Sequence, residues 1–431
     1  MTPAARIASA IEVLEKVEES ARPADEVVTS YFRGRRYIGA KDRRAISERV
    51  FRIERRRAQL DWWTGTSAPR ARVIAELALE EGLTPESAAQ IFDGGKFAPA
   101  PLTAAEQELL QRLAGRSWDA PEIPTPVRLE LPEWIAEKLA AQWGERIGEE
   151  MAALNTPAPV DLRVNTLKAT RADAQARLAD ERIETQPTPI SPLGLRVTGR
   201  ASVATSGAFR AGLVEVQDEG SQLAALLTGA KADRLTIDLC AGAGGKTLAL
   251  AAMMKDGGPL VACDTDAQRL QRMEARLTRA GVSNVTRKRI RGPDDPWLAT
   301  LDGRGERVLV DAPCSGSGAW RRNPGARWRL TPERLDALVA EQRRILAAAA
   351  RLTKPGGRLI YVTCSILADE NQQQADLFLE SEPAFRALPA ARVWSETIGD
   401  ASPTAGTYLT LTPASTRTDG FFVAVFEKAA A

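Results

Sequence analysis

Two cysteines and one aspartate follow predicted strands in the C-terminal half of the chain, and residues of these types can support covalent chemistry. Asp311 and Cys314 come after the apolar run Val308-Leu-Val310, and Cys364 comes after the apolar segment 359–363. A single cysteine at a strand end is usually a small buried hydrophobic residue. Two thiols and a carboxyl group at the same edge of a sheet instead favour a site in which a thiolate is the nucleophile.

A glycine-rich segment after a third predicted strand indicates a cofactor site. In Asp238-Leu-Cys-Ala-Gly-Ala-Gly-Gly-Lys-Thr247, here called the glycine turn, an apolar strand leads into an apolar helix. This arrangement brings backbone N–H groups and a helix N-terminus to one point. A P-loop needs glycine where Cys240 stands, and a dinucleotide fingerprint needs glycine where Thr247 stands. Asp264 follows the next apolar run and can accept hydrogen bonds from ribose hydroxyls. The pattern is typical of an S-adenosylmethionine site, with a glycine turn that binds no ligand as the alternative.

A thiol beside a methyl donor has a specific use in pyrimidine methylation. C5 of the base becomes a sufficient nucleophile when a thiolate adds to C6, and the thiol is eliminated after C5 loses its proton. Asp311 is placed to assist at N3 of the base. The base has to be unstacked or single-stranded to reach such a pocket. These residues alone leave open whether Cys314 or Cys364 attacks.

The composition excludes several kinds of chemistry. The 431 residues include no histidine, which rules out Ser-His-Asp and Cys-His mechanisms. Four cysteines without C-x-x-C spacing argue against structural zinc and a disulfide framework, so we expect no metal, and we interpret Cys240 and Cys263 as packing residues. No run of eighteen apolar residues and no signal-peptide core is present. We therefore expect a cytoplasmic protein.

Strand-like and helix-like segments alternate from residue 216 onward. This alternation predicts βαβ units and hence an α/β fold with a mostly parallel sheet covered on both faces. Ligands of such sheets bind beyond the carboxyl ends of the strands. The predicted strands are 234–239, 259–263, 306–311, 357–363 and 420–426, and the predicted helices are 221–228, 246–254, 267–280, 332–352 and 368–380.

The N-terminal part of the chain differs in character. Residues 1 to about 115 place apolar side chains at helical spacing. Residues 33–57 include eleven basic and three acidic side chains, although the whole chain carries a net charge of only +2. This block predicts a surface that binds nucleic acid or, equally, a helix with a solvated basic face. A proline-rich linker follows, and then a strand-like segment that begins a small α/β module. The predicted domains are 1–125, 126–215 and 216–431.

Several motifs together resemble the RsmB/Sun-type RNA (cytosine-5) methyltransferase family. The resemblance spans roughly residues 130 to 428, and two separate cysteine motifs in this order set these RNA enzymes apart from DNA cytosine-5 methyltransferases. It implies a Rossmann-like S-adenosylmethionine-dependent methyltransferase sheet, preceded by a small α/β RNA-binding module. The N-terminal helical domain is similar in placement and pattern to the NusB-like RNA-binding domain of bacterial members. The matching segments are the glycine turn, 311–318, 363–365, 216–222, 163–168, 321–324 and 419–422.

The resemblance also implies the roles of individual residues. Cys364 matches the attacking cysteine of the Thr-Cys-Ser motif, and Cys314 matches the cysteine that assists release of the methylated base. Asp311 matches the acid that contacts cytosine N3. The implied cofactor-binding residues are Cys240, Ala241, Gly242, Ala243, Gly244, Gly245, Lys246, Asp264 and Asp311. The implied RNA-binding residues are Arg163, Asn165, Arg321 and Arg322.

The chain departs from the family pattern at two places in the cofactor site. Ala243 stands in the glycine turn where most members have proline. A third cofactor acid is expected after the strand near 284–289, but this position falls on Ile290 or Arg291. Two acids a few residues later are candidates to replace it from the loop, namely Asp294 and Asp295.

Basic and aromatic residues alternate after the Asp311 motif. Arginine for phosphate and an aromatic ring for stacking is a common way to hold single-stranded RNA. Packing of the tryptophans onto the sheet is the alternative interpretation. The residues concerned are Arg321, Arg322, Arg327 and Arg329, with Trp320 and Trp328 between them.

The sequence therefore predicts an enzyme that methylates C5 of cytosine in RNA through a covalent Cys364–C6 adduct. We expect 16S ribosomal RNA as the substrate, with transfer RNA as the alternative. A non-catalytic RNA-binding ribosome-assembly factor is an alternative of a different class, to which the absent third acid gives weight. A DNA cytosine-5 methyltransferase is disfavoured by Cys364 and by the N-terminal domain. We expect a monomer that binds RNA and no membrane.

Overall fold

The chain forms two compact units, described here from a computed structural model that covers residues 1–199, 201–399 and 401–430. The helical unit comprises Met1–Thr156 together with Trp320–Leu330, and the sheet unit comprises Pro157–Ala319 together with Thr331–Ala431. Within the described residues, no helix combines the length and apolarity needed to cross a membrane.

The helical unit is built from ten α-helices in its described residues. The first begins at Pro3, after the N-cap residue Thr2, whose side chain accepts a hydrogen bond from the backbone N–H of Ala5. The helices bury an apolar core that includes Leu14, Val50 and Val73. Their bounds are α1 (Pro3–Glu18), α2 (Ala24–Arg33), α3 (Ala40–Arg55), α4 (Arg57–Thr64), α5 (Pro69–Glu81), α6 (Pro85–Ala88), α7 (Ala104–Leu113), α8 (Thr125–Arg128), α9 (Glu133–Trp143) and α10 (Ile147–Leu154).

The sheet unit begins with a small antiparallel sheet. Its chain order is strand, helix, strand, strand, helix, strand, and the spatial order of the strands is β2-β3-β1-β4. Leu162, Leu178 and Leu195 lie in its buried core. The elements are β1 (Asp161–Val164), α11 (Arg171–Asp180), β2 (Thr185–Pro187), β3 (Gly194–Val197), α12 (Gly207–Arg210) and β4 (Val214–Val216).

A larger sheet of eight strands follows, flanked by helices. Its strands are β5 (Thr236–Asp238), β6 (Leu260–Asp264), β7 (Val285–Arg289), β8 (Gly305–Asp311), β9 (Thr353–Thr363), β10 (Phe385–Ala387), β11 (Leu409–Leu411) and β12 (Phe421–Lys428). The helices are α13 (Glu219–Leu226), α14 (Gly245–Met253), α15 (Ala267–Ala280), α16 (Pro332–Leu352), α17 (Gln372–Ser381), α18 (Ala390–Thr397) and α19 (Pro413–Thr416).

The order of the strands places the carboxyl ends of β5 and β8 side by side. The main order is β10-β12-β9-β8-β5-β6-β7, and the five strands from β9 to β7 are parallel to one another. The chain runs outward from β5 through β6 to β7 and then crosses back to β8. The point where the order reverses is therefore between β5 and β8, which is where ligands bind in open α/β sheets.

Alternating side chains of the central strands enter two apolar layers. Val308 and Val310 pack on one face, whereas Leu309 packs on the other with Ile360 and Val362. This two-sided burial agrees with the continuous apolar runs that predicted the strands. The mostly parallel Rossmann-like sheet is confirmed, with β10, β11 and β12 antiparallel at one edge.

Candidate active site

The glycine turn leaves β5 and enters α14 through two residues with left-handed backbone. Gly242 has φ of 55° and Gly244 has φ of 85°, conformations that favour glycine. A Cβ on Gly244 would lie 2.5 Å from Cγ of Met273, a buried residue of α15. Gly244 thus caps α14 and lets α15 pack closely, while the N-terminus of α14 stays open to a ligand.

Two carboxylates fix the glycine turn from opposite sides. Asp264, at the end of β6, accepts hydrogen bonds from the backbone N–H of Gly242 at 2.7 Å and from that of Asp266 at 2.8 Å. Asp238, at the end of β5, is fully buried and accepts a hydrogen bond from Thr247 Oγ1 at 2.7 Å. Burial raises the pKa of Asp238 to about 7. Asp264 lies against the cavity, whereas Asp238 is a support behind the turn.

Side chains from the small sheet and from β8 complete the cofactor end of the site. Lys246 Nζ lies 2.7 Å from Asp311 Oδ2, so the turn is joined to the end of β8 by an ion pair. Arg163 of β1 is buried and donates to the carbonyl oxygen of Gly245 at 2.7 Å and to the side-chain oxygen of Gln217. The small sheet therefore supports the glycine turn directly.

The two predicted thiols meet at the ends of β8 and β9. The Sγ atoms of Cys314 and Cys364 are 3.4 Å apart, within range of an S–H···S hydrogen bond. Its contact with Cys364, together with burial and the nearby charge of Glu370, raises the pKa of Cys314 well above its usual range. Burial and this contact therefore favour the protonated form of Cys314. We call residues 312–318 and 364–371 the thiol loops.

A buried carboxylate joins the two thiol loops. Glu370 accepts hydrogen bonds from the backbone N–H of Ser315 at 2.8 Å, from Ser315 Oγ and from Gln342 Nε2 at 3.0 Å. Gln342 also donates to the carbonyl oxygen of Pro313, and Tyr361 donates to the carbonyl oxygen of Glu370. Glu370 is fully buried, so these bonds are formed without competition from water.

A second set of contacts brings the thiol loops into register. Ser317 Oγ and Ser365 Oγ are 2.9 Å apart, and the backbone N–H of Gly318 donates to the carbonyl oxygen of Cys364 at 2.9 Å. Gly318 also approaches Gly420 so closely that a Cβ on it would lie 2.1 Å from the Gly420 oxygen. The spacing of the two sulfurs thus depends on main-chain packing around three loops.

The glycine turn and the thiols border one cavity of about 670 Å³. Its lining includes carboxylate and ammonium groups, at Asp264 and at the Asp311–Lys246 pair, together with apolar side chains such as Ile290 and Leu338. This donor set fits the ribose, amino acid and adenine parts of S-adenosylmethionine. Among the predicted residues the cavity brings together Cys240, Ala241, Gly242, Ala243, Gly245, Lys246, Asp264, Asp311, Cys314 and Cys364, whereas Gly244 lies outside its lining.

The position of the absent third acid is filled by an apolar side chain. Ile290 follows β7, is 4% exposed and borders the cavity. Asp295 accepts hydrogen bonds from the backbone N–H groups of Arg291 and Trp297 and so caps a short 3-10 helix. Asp294 pairs with Arg344 at 2.6 Å. Neither loop aspartate is among the cavity residues.

Two of the predicted RNA-binding residues are buried in the sheet unit. Besides the bonds of Arg163 to the turn, Asn165 donates to the carbonyl oxygens of Gly212 at 3.0 Å and Ala280 at 2.9 Å. Both side chains are less than a tenth exposed. These contacts give Arg163 and Asn165 a structural role, and RNA contact by either residue stays a prediction.

The arginine-rich segment after the Asp311 motif belongs to the helical unit. Arg321 is buried and Arg322 is exposed. Trp320 is fully buried, and the Arg327 guanidinium lies over its ring and donates to Asn155 Oδ1 at 2.7 Å. Trp320 therefore packs inside this unit, so the base-stacking interpretation of this tryptophan is wrong.

Sequence reasoning missed the side chains that support the thiol loops. Glu370 and Gln342 lie 28 residues apart and belong to none of the sequence motifs. One signal was present, because Gln342 interrupts the apolar face of α16 between Leu338 and Ile345. A fully buried glutamine at such a position has to have hydrogen-bond partners.

Two family models match the chain. Residues 224–427 match the model described as 16S rRNA methyltransferase RsmB/F, and residues 131–204 match the ferredoxin-like domain of RsmF/B-like methyltransferases. The small antiparallel sheet, with its strand-helix-strand-strand-helix-strand order, has the topology of such a domain.

Individual proteins of known name and structure are also similar. A probable ribosomal RNA small subunit methyltransferase B of Synechocystis sp. is 30% identical over 424 residues, which cover 91% of this chain and 92% of that protein. The ribosomal RNA small subunit methyltransferase B of Vibrio cholerae is 34% identical, over 69% of this chain and 65% of that protein. A crystal structure of the protein PH0851 superimposes with a TM-score of 0.78 at 27% identity, over 99% of both chains.

Proposed function

We propose a specific reaction for this chain, which belongs to the RsmB/F family of 16S ribosomal RNA methyltransferases. As a member of that family it is an S-adenosylmethionine-dependent methyltransferase with an RNA substrate, as the sequence predicted. The proposed reaction is methylation of C5 of a cytosine in 16S ribosomal RNA, with Cys364 bonded to C6 during catalysis. S-adenosylmethionine, when bound, supplies the methyl group from its sulfonium. The proposal includes a cytoplasmic location, where ribosomal RNA is found, and a monomeric enzyme.

The single observation that carries this proposal is the thiol pair beside the cofactor cavity. Cys314 and Cys364, 3.4 Å apart, both border the cavity that contains the glycine turn. The raised pKa of Cys314 disfavours this residue as the attacking thiolate. We assign the attack to Cys364, as the family resemblance implies. Addition of that thiolate to C6 makes C5 nucleophilic enough to take a methyl group.

Asp311 and Lys246 have distinct roles in this proposal. Asp311 borders the cavity together with both cysteines, and its carboxyl group is assigned to accept a hydrogen bond from N3 of the cytosine when N3 carries a proton during the addition of Cys364 to C6. The ion pair with Lys246 fixes one Asp311 oxygen at 2.7 Å and so orients the carboxyl group. The other oxygen remains for the base or for the cofactor amino group.

Cys314 is assigned to the release of the methylated base. Its pKa is raised chiefly because its sulfur shares a hydrogen bond with Cys364. Once Cys364 is bonded to C6 it is a neutral thioether, and this cause of the raised pKa is removed. Cys314 then ionises more easily and can accept the C5 proton, after which Cys364 is eliminated. The thiols therefore act in sequence, first Cys364 and then Cys314.

Trapping of the covalent intermediate tests these roles. Wild type, Cys364→Ala and Cys314→Ala would be incubated with S-adenosylmethionine and 16S ribosomal RNA and run on a denaturing gel. We expect an RNA-dependent shifted band with Cys314→Ala alone, because its adduct forms and is not resolved. Cys263→Ala, a change of a buried core thiol, serves as the matched control and should behave as wild type.

Other outcomes of that gel have distinct meanings. A shifted band with Cys364→Ala alone would reverse the two roles. No adduct in any lane, combined with methylation by the wild type, would rule out the covalent mechanism. Sequencing of the trapped RNA locates the modified base, and a trapped transfer RNA would favour the alternative substrate. RNA binding without binding of S-adenosylmethionine in calorimetry would favour the assembly-factor alternative.

We propose that the helical unit binds RNA through the turn between α2 and α3. Tyr37 in this turn is 79% exposed. Arg35 pairs with Glu12, but four further basic side chains around the turn have no carboxylate partner among the described residues. Arg43 supports the turn by donating to the carbonyl oxygen of Ile38 at 2.7 Å. An exposed aromatic ring among unpaired cations suits a single-stranded RNA backbone and its bases. The basic residues are Arg33, Arg36, Lys41 and Arg44.

Salt-dependent binding tests this second part of the proposal. Replacement of Arg36 and Arg44 by alanine should weaken RNA binding and lower the slope of log K against log salt by roughly 1 to 2. Arg112→Ala is the matched control. Arg112 is also exposed, but it lies outside the turn between α2 and α3, on α7, which packs on α5 and α6. Unchanged affinity and slope in the double variant would remove this turn from the RNA-binding surface.

A further inference from the structure

The cavity offers no acid at the end of β7. In the sheet unit, Asp264 is the last residue of β6 and borders the cavity, but the residue after β7 is the apolar Ile290. The adenine of S-adenosylmethionine carries a 6-amino group, which donates hydrogen bonds and therefore needs an acceptor. A purine ring placed against Ile290 has to find that acceptor on another element.

One face of α16 supplies side chains to the same cavity. Arg334, Leu338, Glu341 and Ile345 all border it, and their spacing of four, three and four residues places them along one stripe of the helix. Leu338 and Ile345 are buried apolar residues. Glu341 lies between them in the stripe and adds a carboxylate to this wall, which also carries the guanidinium of Arg334.

A neighbouring arginine ties Glu341 to the loop that follows β7. Arg344 donates to Glu341 Oε2 at 2.7 Å and to Asp294 Oδ2 at 2.6 Å. Asp294 directly follows Gly292 and Pro293, which both border the cavity. Glu341 is therefore held at the β7 end of the cavity, next to the place where the sequence lacks an acid. Its second oxygen, Oε1, receives no hydrogen bond from the described residues.

We propose that Glu341 takes the place of the absent acid and recognises the adenine of the cofactor. Its Oε1 accepts the hydrogen bond of the 6-amino group, and Ile290, Leu338 and Ile345 provide the apolar contacts of the ring. Arg344 is a positioning residue, because it holds the carboxylate through the other oxygen. This inference rests on the cofactor site of the proposed function and is independent of the base that is methylated.

Recognition of this kind makes a prediction about purine selectivity. Adenine presents a donor at position 6, whereas hypoxanthine presents a carbonyl oxygen there. Two acceptors facing each other repel, so the carboxylate of Glu341 favours adenine over hypoxanthine. A cavity that held the ring by apolar contacts alone would accept both bases similarly.

Calorimetry with the demethylated cofactor and its hypoxanthine analogue tests the inference without any turnover. S-adenosylhomocysteine and S-inosylhomocysteine would be titrated into wild type, Glu341→Ala and Glu341→Gln. Glu341→Ala should bind S-adenosylhomocysteine roughly 10- to 100-fold more weakly than wild type, because it loses a hydrogen bond to a charged group. Binding of S-inosylhomocysteine should stay unchanged or improve. Glu341→Gln should narrow the preference, because its amide can donate to the hypoxanthine oxygen.

Controls separate recognition from a general loss of structure. Asp336→Asn removes an exposed carboxylate from α16 outside the cavity and should leave both affinities as in the wild type. If Glu341→Ala weakened both ligands equally, or weakened neither, the inference would be overturned. If the wild type bound neither ligand, the proposed cofactor site would be overturned as well.

Discussion

The glycine turn and the thiol loops lie at the same edge of one sheet, yet different interactions hold them. The turn takes its shape from backbone conformation, with two glycines in left-handed geometry and main-chain N–H groups bonded to carboxylates. The thiol loops take theirs from a buried side-chain network centred on Glu370 and from close backbone contact at Gly318.

This difference separates a local structure from a long-range one. A glycine turn is encoded by a few consecutive residues, so its sequence is recognisable on its own. The 3.4 Å spacing of the two sulfurs instead depends on residues from β8, α16 and the segment after β9. Changes that remove single supports should therefore affect the two regions differently.

The largest expected effect concerns the one buried carboxyl group behind the glycine turn. The pKa of Asp238 is about 7 in the folded protein against 3.8 ordinarily, so between these pH values the folded state binds more protons than the unfolded state. Stability should therefore fall as pH rises from about 4 to 7, by roughly 4 kcal/mol in total. Urea denaturation across this range should show a fall that is larger in wild type than in Asp238→Asn by that amount, since other buried carboxyl groups such as Glu130 contribute to both proteins. Parallel curves for the two proteins would contradict the prediction.

The next largest effect is expected from Gly318→Ala, which should displace the thiol loops because it crowds their backbone. In Gly318→Ala the new Cβ would meet the Gly420 oxygen at 2.1 Å, so the two segments must separate. We expect a loss of about 3 kcal/mol in the free energy of unfolding. Displaced thiols should also slow adduct formation about 100-fold. Urea denaturation and the denaturing-gel assay measure the two effects, and an unaffected adduct rate would show that the sulfurs do not depend on this contact.

A smaller effect should come from the charge at the centre of the network. Glu370→Gln removes one acceptor oxygen from the Ser315 and Gln342 donors, which should cost about 2 kcal/mol of stability. The carboxylate also helps to raise the pKa of Cys314. Its removal should shift the pH profile of adduct resolution to lower pH. The exposed Glu380→Gln on α17 is the matched control, and an unshifted profile would leave Glu370 a purely structural role.

The smallest effect is expected in the glycine turn itself. Gly242 has φ of 55°, but a Cβ there would meet no atom within 4 Å. Gly242→Ala should therefore cost only about 1 kcal/mol, the price of left-handed backbone in a residue with a side chain. Urea denaturation beside Gly318→Ala compares the two regions directly. Equal losses in both variants would remove the proposed distinction between them.

Much of the sheet unit was predictable because its elements have clear hydrophobic periods. The bounds of α15 and α16 agree with the prediction, since the apolar residues of both helices recur at helical spacing. β7 was absent from the strands predicted by apolar pattern. Its sequence Val285-Thr-Arg-Lys-Arg289 lies at the sheet edge and is largely exposed, so it lacks the apolar run of a central strand.

The site was predictable only where chemistry resides in motifs. The types and spacing of Asp311, Cys314 and Cys364 indicated covalent methyl transfer, although the residues alone could not choose the attacking thiol. The supports from Glu370 and Gln342 could not be inferred, because their contacts join segments about 30 to 55 residues apart. The three-domain division of the sequence and the individual residue roles remain predictions.

The segment Trp320–Leu330 has a consequence for the modularity of the gene. The polypeptide leaves the helical unit after Thr156 and returns to it for these eleven residues. A fragment that starts at Pro157 would carry Trp320, which is normally fully buried, without its packing partners. A fragment that ends at Thr156 would keep buried Glu130 without Arg327, which donates to its carbonyl oxygen. Truncation or recombination at residue 156 therefore cannot separate the N-terminal region as an intact unit. The segment that completes its fold is encoded within the part of the gene that encodes the methyltransferase sheet.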